Sequence, residues 1–216
     1  MQLVELPPFS LRTFAPPTVF ERSEGCHVTD VTGLIMKKVD PKRYGRPFDP
    51  ADSENWQEAG FLWEDILGRA FADRAAVGAM PWGEIGEVRF RPGEVERDGI
   101  VGSPDALAIT PLRDVPIIEE YKATWKSMGP WLQPSDPDGQ KLSALEDTRY
   151  LGYLLQLKSY CTIVGTTQAR LIILFLNGDY TKYVPQVRGF ELTFTPRELN
   201  EHWTMIKNTA RKEGWL

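Results

Sequence analysis

Cysteine is scarce in this chain: Cys26 and Cys161 are the only two among 216 residues. Two thiols give no disulfide framework and too few ligands for an all-cysteine zinc or iron–sulfur site. No apolar run approaches the roughly 18 to 20 residues that cross a bilayer, so no membrane partner is expected. The opening MQLVELPPFS lacks a basic segment followed by an apolar one, so a secretory leader is not expected and the cytoplasm is the expected compartment. An excess of positive charge is also missing. The formal net charge is −5, which weighs against a surface built wholly to grip nucleic acid. There is no internal repeat, no low-complexity tract, and no G-x-x-x-x-G-K-[ST] loop of the kind that cradles nucleotide phosphates.

What remains is an ordinary globular composition, 42% hydrophobic and 25% charged, in a chain long enough for one sizeable core. Positive charge is gathered locally. KKVDPKRYGR, residues 37–46, carries five basic residues and one acid, and residues 207–212 carry more. Such clusters read either as solvated faces or as a local basic groove.

Residues 1–48 are proline-rich at first and read as an N-terminal arm packed on the core, with a short helix near 28–37. Residues 49–216 form the main domain, with a single domain overall. Asp49 can cap a helix, Pro50 suits its first position, and Trp56, Ala59, Trp63, Ile66, Leu67, Ala70 and Phe71 recur at helical spacing. GEIGEVRFR and GIVGSPDALAI flank a turn at Arg97, Asp98 and Gly99 and read as a hairpin. VPIIEEYKAT is a third strand, and SMGPWLQPSDPDG is a loop. A second helix is expected from about 142 to 163, strands at QARLIILFL and YVPQVRGFELTF, and a last helix from Pro196 to near Lys212. The order implies an α/β (α+β) domain with a central mixed sheet. A crossover would join the strands on either side of the second helix.

The third strand poses a chemical question. Alternation puts Ile118, Glu120 and Lys122 on one face and Glu119 and Tyr121 on the other. Asp105 follows Gly102, Ser103 and Pro104 on the preceding strand, where glycine and proline favour a bend that re-aims it. Two close carboxylates repel unless one is protonated or a cation bridges them, and Mg²⁺ or Mn²⁺ is the natural oxygen-liganded bridge. A neighbouring Lys122 could hold water or neutralise developing charge. Desolvation would lower the pKa of that lysine and the acids would raise it, so residue types alone leave its net shift open. The plain alternative is a salt bridge among the same residues.

Pro104-Asp105 followed fifteen residues on by Glu120-Tyr121-Lys122 resembles the PD-(D/E)XK nuclease superfamily. Glu64 in GFLWE on the preceding helix, and Gln156 with Tyr160 in QLKSY on the next, are similar to the RecB-like, phage-exonuclease branch. The resemblance implies a restriction-endonuclease-like αβββαβ core over roughly residues 50–180. It implies that Glu64, Asp105, Glu120 and the backbone carbonyl of Tyr121 ligate Mg²⁺ or Mn²⁺. Lys122 would position or activate water, and Gln156 and Tyr160 would orient the site and the strand. It implies DNA as partner, an exonuclease on linear duplex ends, a homo-oligomer, and a single-strand annealing protein as companion in phage-type recombination. Cysteine-only iron–sulfur clusters of the CRISPR-associated branch are excluded by the count of two, and the missing phosphate loop points to a stand-alone nuclease. A structure-specific or nicking endonuclease, and a non-catalytic nucleic-acid-binding module of the same fold, are the alternatives. Arg149 shares a helical stripe with Gly152, Gln156 and Tyr160, and is expected either to meet a substrate phosphate or to form a surface ion pair. Lys126, Met128, Trp131 and Leu132 follow the third strand and could wedge or stack on a strand end, form a satellite core or make an oligomer contact.

Overall fold

The structure, a computed structural model, describes residues 22–45, 60, 62–71, 86–124, 148–176 and 186–216. A two-residue strand, β1 (Cys26–His27), leads into helix α1 (Val28–Val39) and a single turn, α2 (Pro41–Tyr44). In α1, Val28, Val31, Thr32 and Met36 are buried at helical spacing, and Lys37 and Lys38 in its last turn suit the negative end of the helix dipole. Asp40 separates the two helices, and its carboxylate accepts the Arg43 N–H at 3.2 Å. Residues 62–71 form α3. The earlier turns expected from Asp49, and the loop with Lys126, Met128, Trp131 and Leu132, lie outside the described residues.

The expected hairpin is present, but it is bent across two sheets. Its turn is Asp98 and Gly99, with φ of 55° and 76°, the left-handed pair that a tight two-residue hairpin turn requires. Each arm is broken. β2 (Val88–Phe90) and β3 (Val95–Arg97) are separated by Pro92 and Gly93, and Gly93 has a φ of 75°. β4 (Ile100–Gly102) and β5 (Ala106–Ile109) are separated by Ser103, Pro104 and Asp105. The tip strands join β1 in a three-stranded sheet ordered β1-β4-β3. The bases enter a five-stranded sheet ordered β2-β5-β6-β7-β8, where β6 is Ile117–Thr124, β7 is Gln168–Phe175 and β8 is Gln186–Thr193. Proline has no N–H for the ladder, so a strand ends there readily.

β6 and β7 are parallel and are joined through helix α4 (Thr148–Val164). The other pairings in this sheet are antiparallel, so the fold is mixed α/β with a mixed sheet. The last helix, α5 (Pro196–Lys212), starts with a capping box between Thr195 and Glu198 and has Pro196 at its first position. It buries Leu199, His202, Trp203, Ile206 and Ala210 along one stripe. These side chains join Val28 and Val31 of α1, Leu157, Tyr160 and Cys161 of α4, and Ile118, Leu171 and Ile173 of the sheet in the main core. Val28–Val39 therefore contributes to that core. On the opposite face Leu67 and Phe71 of α3 pack on Tyr121, Ile172 and Leu174. Helices thus cover both faces of β6 and β7, which accounts for the apolar run of β7.

Candidate active site

The site lies where β6 loses a neighbour. β6 pairs with β5 only through Ile117, Ile118 and Glu119, whereas it pairs with β7 as far as Thr124. Beyond Glu119 the chain of β5 has turned at Pro104 toward the other sheet. The backbone N–H of Tyr121 is left without a strand partner on that side, and the carboxylate of Asp105 takes its place, accepting at 2.7 Å. The Pro-Asp pair thus ends one ladder and caps the exposed strand with a carboxylate.

Glu120 and Lys122 follow on the face toward α4, as alternation predicts. Their side chains form an ion pair at 2.5 Å. Glu120 is only 2% exposed, and its Oε2 is buried without a hydrogen-bond partner. Lys122 also lies over the ring of Tyr153 in α4, 5.6 Å from its centre. Glu64 on α3 is half-buried and close enough to Asp105 and Lys122 for both charges to act on it.

Electrostatics ties these groups together. Burial pushes the Glu64 carboxyl up to about 7; Asp105 adds to this, while Lys122 and Arg91 oppose it. Burial pushes Glu120 up to about 8, helped by Asp105 and Glu64 and opposed by Lys122. Burial also raises Asp105, against Lys122, the Tyr121 N–H and Arg91. For Lys122 burial acts downward, yet Glu120, Asp105 and Glu64 outweigh it and hold the ammonium well above its ordinary range. That resolves the shift which residue types left open. Three acids and one amine, drawn from α3, the β4–β5 link and β6, therefore share one field.

Tyr160 of α4 is buried against the same group. Its phenol is raised by burial first and then by Glu120, so it stays neutral. Gly102 permits this approach: a Cβ there would stand 2.8 Å from the Tyr160 ring. Gln156 is half-buried one turn earlier on α4. The side chain of Arg149 lies outside the described residues. The structure therefore brings Glu64, Asp105, Glu120, Lys122 and Tyr160 together, with Tyr121 bonded to Asp105 through its backbone.

Among the described residues, no three acid, histidine or cysteine side chains stand ready-gathered as a metal cage. The donor set nevertheless suits a hard divalent cation: oxygen ligands only, one buried carboxylate oxygen unpaired, and acids whose ionisation is suppressed by burial and by one another. Sequence reasoning missed Arg91 and Tyr153. An arginine one residue beyond β2 and a tyrosine one position past Gly152 carry no local signal of the groups they meet, which come from elsewhere in the chain.

No protein-family model matches the sequence, and no curated protein matches it. Among solved structures the chain is similar to an alkaline exonuclease from Laribacter hongkongensis, at 12% identity and a TM-score of 0.47, with 87% of each chain covered. It is also similar to a phage-related exonuclease from Haemophilus somnus 129PT, at 15% identity and a TM-score of 0.45, covering 86% of this chain and 79% of that one. Likeness this shallow decides no activity, and the chemistry is read from the side chains. No helix among the described residues is long and apolar enough to cross a membrane.

Proposed function

We propose that the chain is a divalent-metal-dependent deoxyribonuclease acting from the ends of linear duplex DNA. The observation that carries this reading is the unpaired, buried Oε2 of Glu120 beside two further acids and a lysine at the open end of β6. A purely structural Glu120–Lys122 ion pair accounts for one carboxylate oxygen. It leaves the second oxygen and the suppressed ionisation of Glu64 unexplained, and an unpaired buried polar atom is costly.

Glu64, Asp105 and Glu120, with the backbone carbonyl of Tyr121, would hold Mg²⁺ or Mn²⁺. Such an ion supplies Lewis-acid polarisation of the phosphodiester and acidifies water near neutral pH. Lys122, whose ammonium the neighbouring acids favour, would orient or activate water and offset charge on the phosphate. Tyr160, held neutral, offers its hydroxyl to the same acids, and Gln156 extends that polar face along α4 toward the nucleic-acid strand. Arg149, on the same stripe, would pair with a phosphate. The net charge of −5 fits a homo-oligomer whose basic clusters line a shared channel. A phage-type recombination setting, with a single-strand annealing protein as companion, fits an exonuclease of this size.

The test is digestion of matched linear and covalently closed circular duplex with Mg²⁺, Mn²⁺ or EDTA, using wild type and Lys122→Ala. Metal-dependent loss of linear DNA alone, reduced by roughly 10²- to 10³-fold in the variant, is the expected result. Cutting of the circle moves the assignment to an endonuclease. A folded protein that cuts neither and binds no Mn²⁺ returns Glu120 and Lys122 to a structural ion pair.

A further inference from the structure

Beneath the site, on the other face of β6, lies a buried charge network that the proposed chemistry does not use. Glu119 is 0% exposed and Arg170 is 2% exposed. They stand directly opposite each other on β6 and β7, with Glu191 next in the row on β8. Arg170 Nη1 donates to Glu119 at 3.1 Å and to both oxygens of Glu87 at 2.9 and 3.0 Å, and its Nε donates to Glu191 at 3.1 Å. Arg89 reaches from β2 across β5 and donates from Nε to both oxygens of Glu119, at 3.1 and 2.9 Å. It can cross because β5 presents only Ala106 and Ala108 on that face.

The network ends on Tyr121. The phenol hydroxyl donates to Glu119 Oε2 at 2.8 Å, and the backbone N–H of the same residue donates to Asp105 at 2.7 Å. The Tyr121 ring packs 5.5 Å from Phe71, on the helix that carries Glu64, and Arg89 lies over Phe71 at 5.9 Å. One residue therefore touches Asp105 of the site, the helix behind it and the glutamate that both buried arginines grip. A buried network of this kind is weak as a source of stability but well suited to fixing one geometry.

We propose that Arg170, acting through Glu119 and Tyr121, is a positioning residue that holds the unpaired end of β6 so that Asp105, Glu120 and Glu64 converge. The inference rests on the nuclease reading of that site. β6 beyond Glu119 lacks its β5 ladder, and the guanidinium clamp replaces the missing restraint from below.

The test uses full-length Arg170→Lys, which keeps the charge and loses the fork, and Tyr121→Phe, which leaves every buried charge paired and keeps the ring on Phe71. Four quantities are read: amide hydrogen exchange at Tyr121, Mn²⁺ affinity by calorimetry, and kcat and KM on linear duplex. Both variants are expected to exchange the Tyr121 amide more than tenfold faster. Both are expected to bind Mn²⁺ about tenfold more weakly and to lose kcat by a similar factor with KM unchanged. Tyr121→Phe keeps the test readable if Arg170→Lys does not fold. Active wild type alongside a folded Tyr121→Phe with wild-type exchange, affinity and kcat overturns the clamp alone. Wild type that neither binds Mn²⁺ nor cuts DNA overturns the nuclease reading, and the clamp's catalytic role with it.

Discussion

Metal uptake by this protein should release protons, and the amount can be worked out from the site. Glu120 titrates at about 8 and Glu64 at about 7. At pH 7 the first is therefore about nine-tenths protonated and the second about half protonated, so an ion that needs both as carboxylates displaces about 1.4 protons. At pH 9 the same arithmetic gives about 0.1. Asp105 is shifted the same way, first by burial. Calorimetric titration of Mn²⁺ in buffers of different ionisation enthalpy measures the number directly. The Glu120→Gln variant should lose the larger share. Saturable binding at pH 7 that releases fewer than about 0.3 protons would refute the account, because the ion would not be meeting these acids. The sign of the linked stability follows. Both carboxyls have folded pKa values above their ordinary 4.5, so in the metal-free protein these two groups bind more protons folded than unfolded between pH 4.5 and 8. Their contribution to stability therefore falls as pH rises through that window, and that loss is complete above about 8.

Three further outcomes are expected. His202 is buried, donates to Ser159 Oγ at 2.8 Å and is pushed down to about 4, first by burial and then by Lys158. Its contribution is intact above pH 6.5 and falls by about 2 kcal/mol at pH 5 and about 3 kcal/mol at pH 4, read as the difference between wild type and His202→Asn in urea unfolding across pH. Gly102→Ala drives a methyl into the Tyr160 ring and should cost about 1–3 kcal/mol with a drop in kcat, checked by thermal melting and DNA digestion. Arg149→Ala should weaken duplex binding and reduce the log–log salt slope by about 0.9, measured without turnover in Ca²⁺.

Local signals in the chain disclosed most elements. The Pro196 start of α5, the Asp98–Gly99 turn and the alternation in IIEEYKAT are all short-range chemistry, and each appears where it was expected. The division of the hairpin between two sheets was hidden, because Gly93 and Pro104 mark breaks without saying which strands pair beyond them. Asp105, Glu120 and Lys122 were legible as neighbours since a bend and an alternating strand place them. The clamp was not. Arg170 sits inside the apolar run QARLIILFL, and a lone arginine there demands a buried acid. Which acid answers it depends on the parallel register of β6 against β7, strands far apart in the chain.

The adjacent glutamates of β6 have one more consequence, for how the sheet assembles. Moving the strand one position in either direction would set Ile118 against the buried guanidiniums of Arg89 and Arg170, or thrust Glu119 into the oily layer that Ile118 now fills. Neither misfit can be tolerated in a dry interior. The pair works as a two-toothed key: it admits one alignment of the central strand during folding, and that alignment is the one that turns Glu120 and Lys122 toward α4.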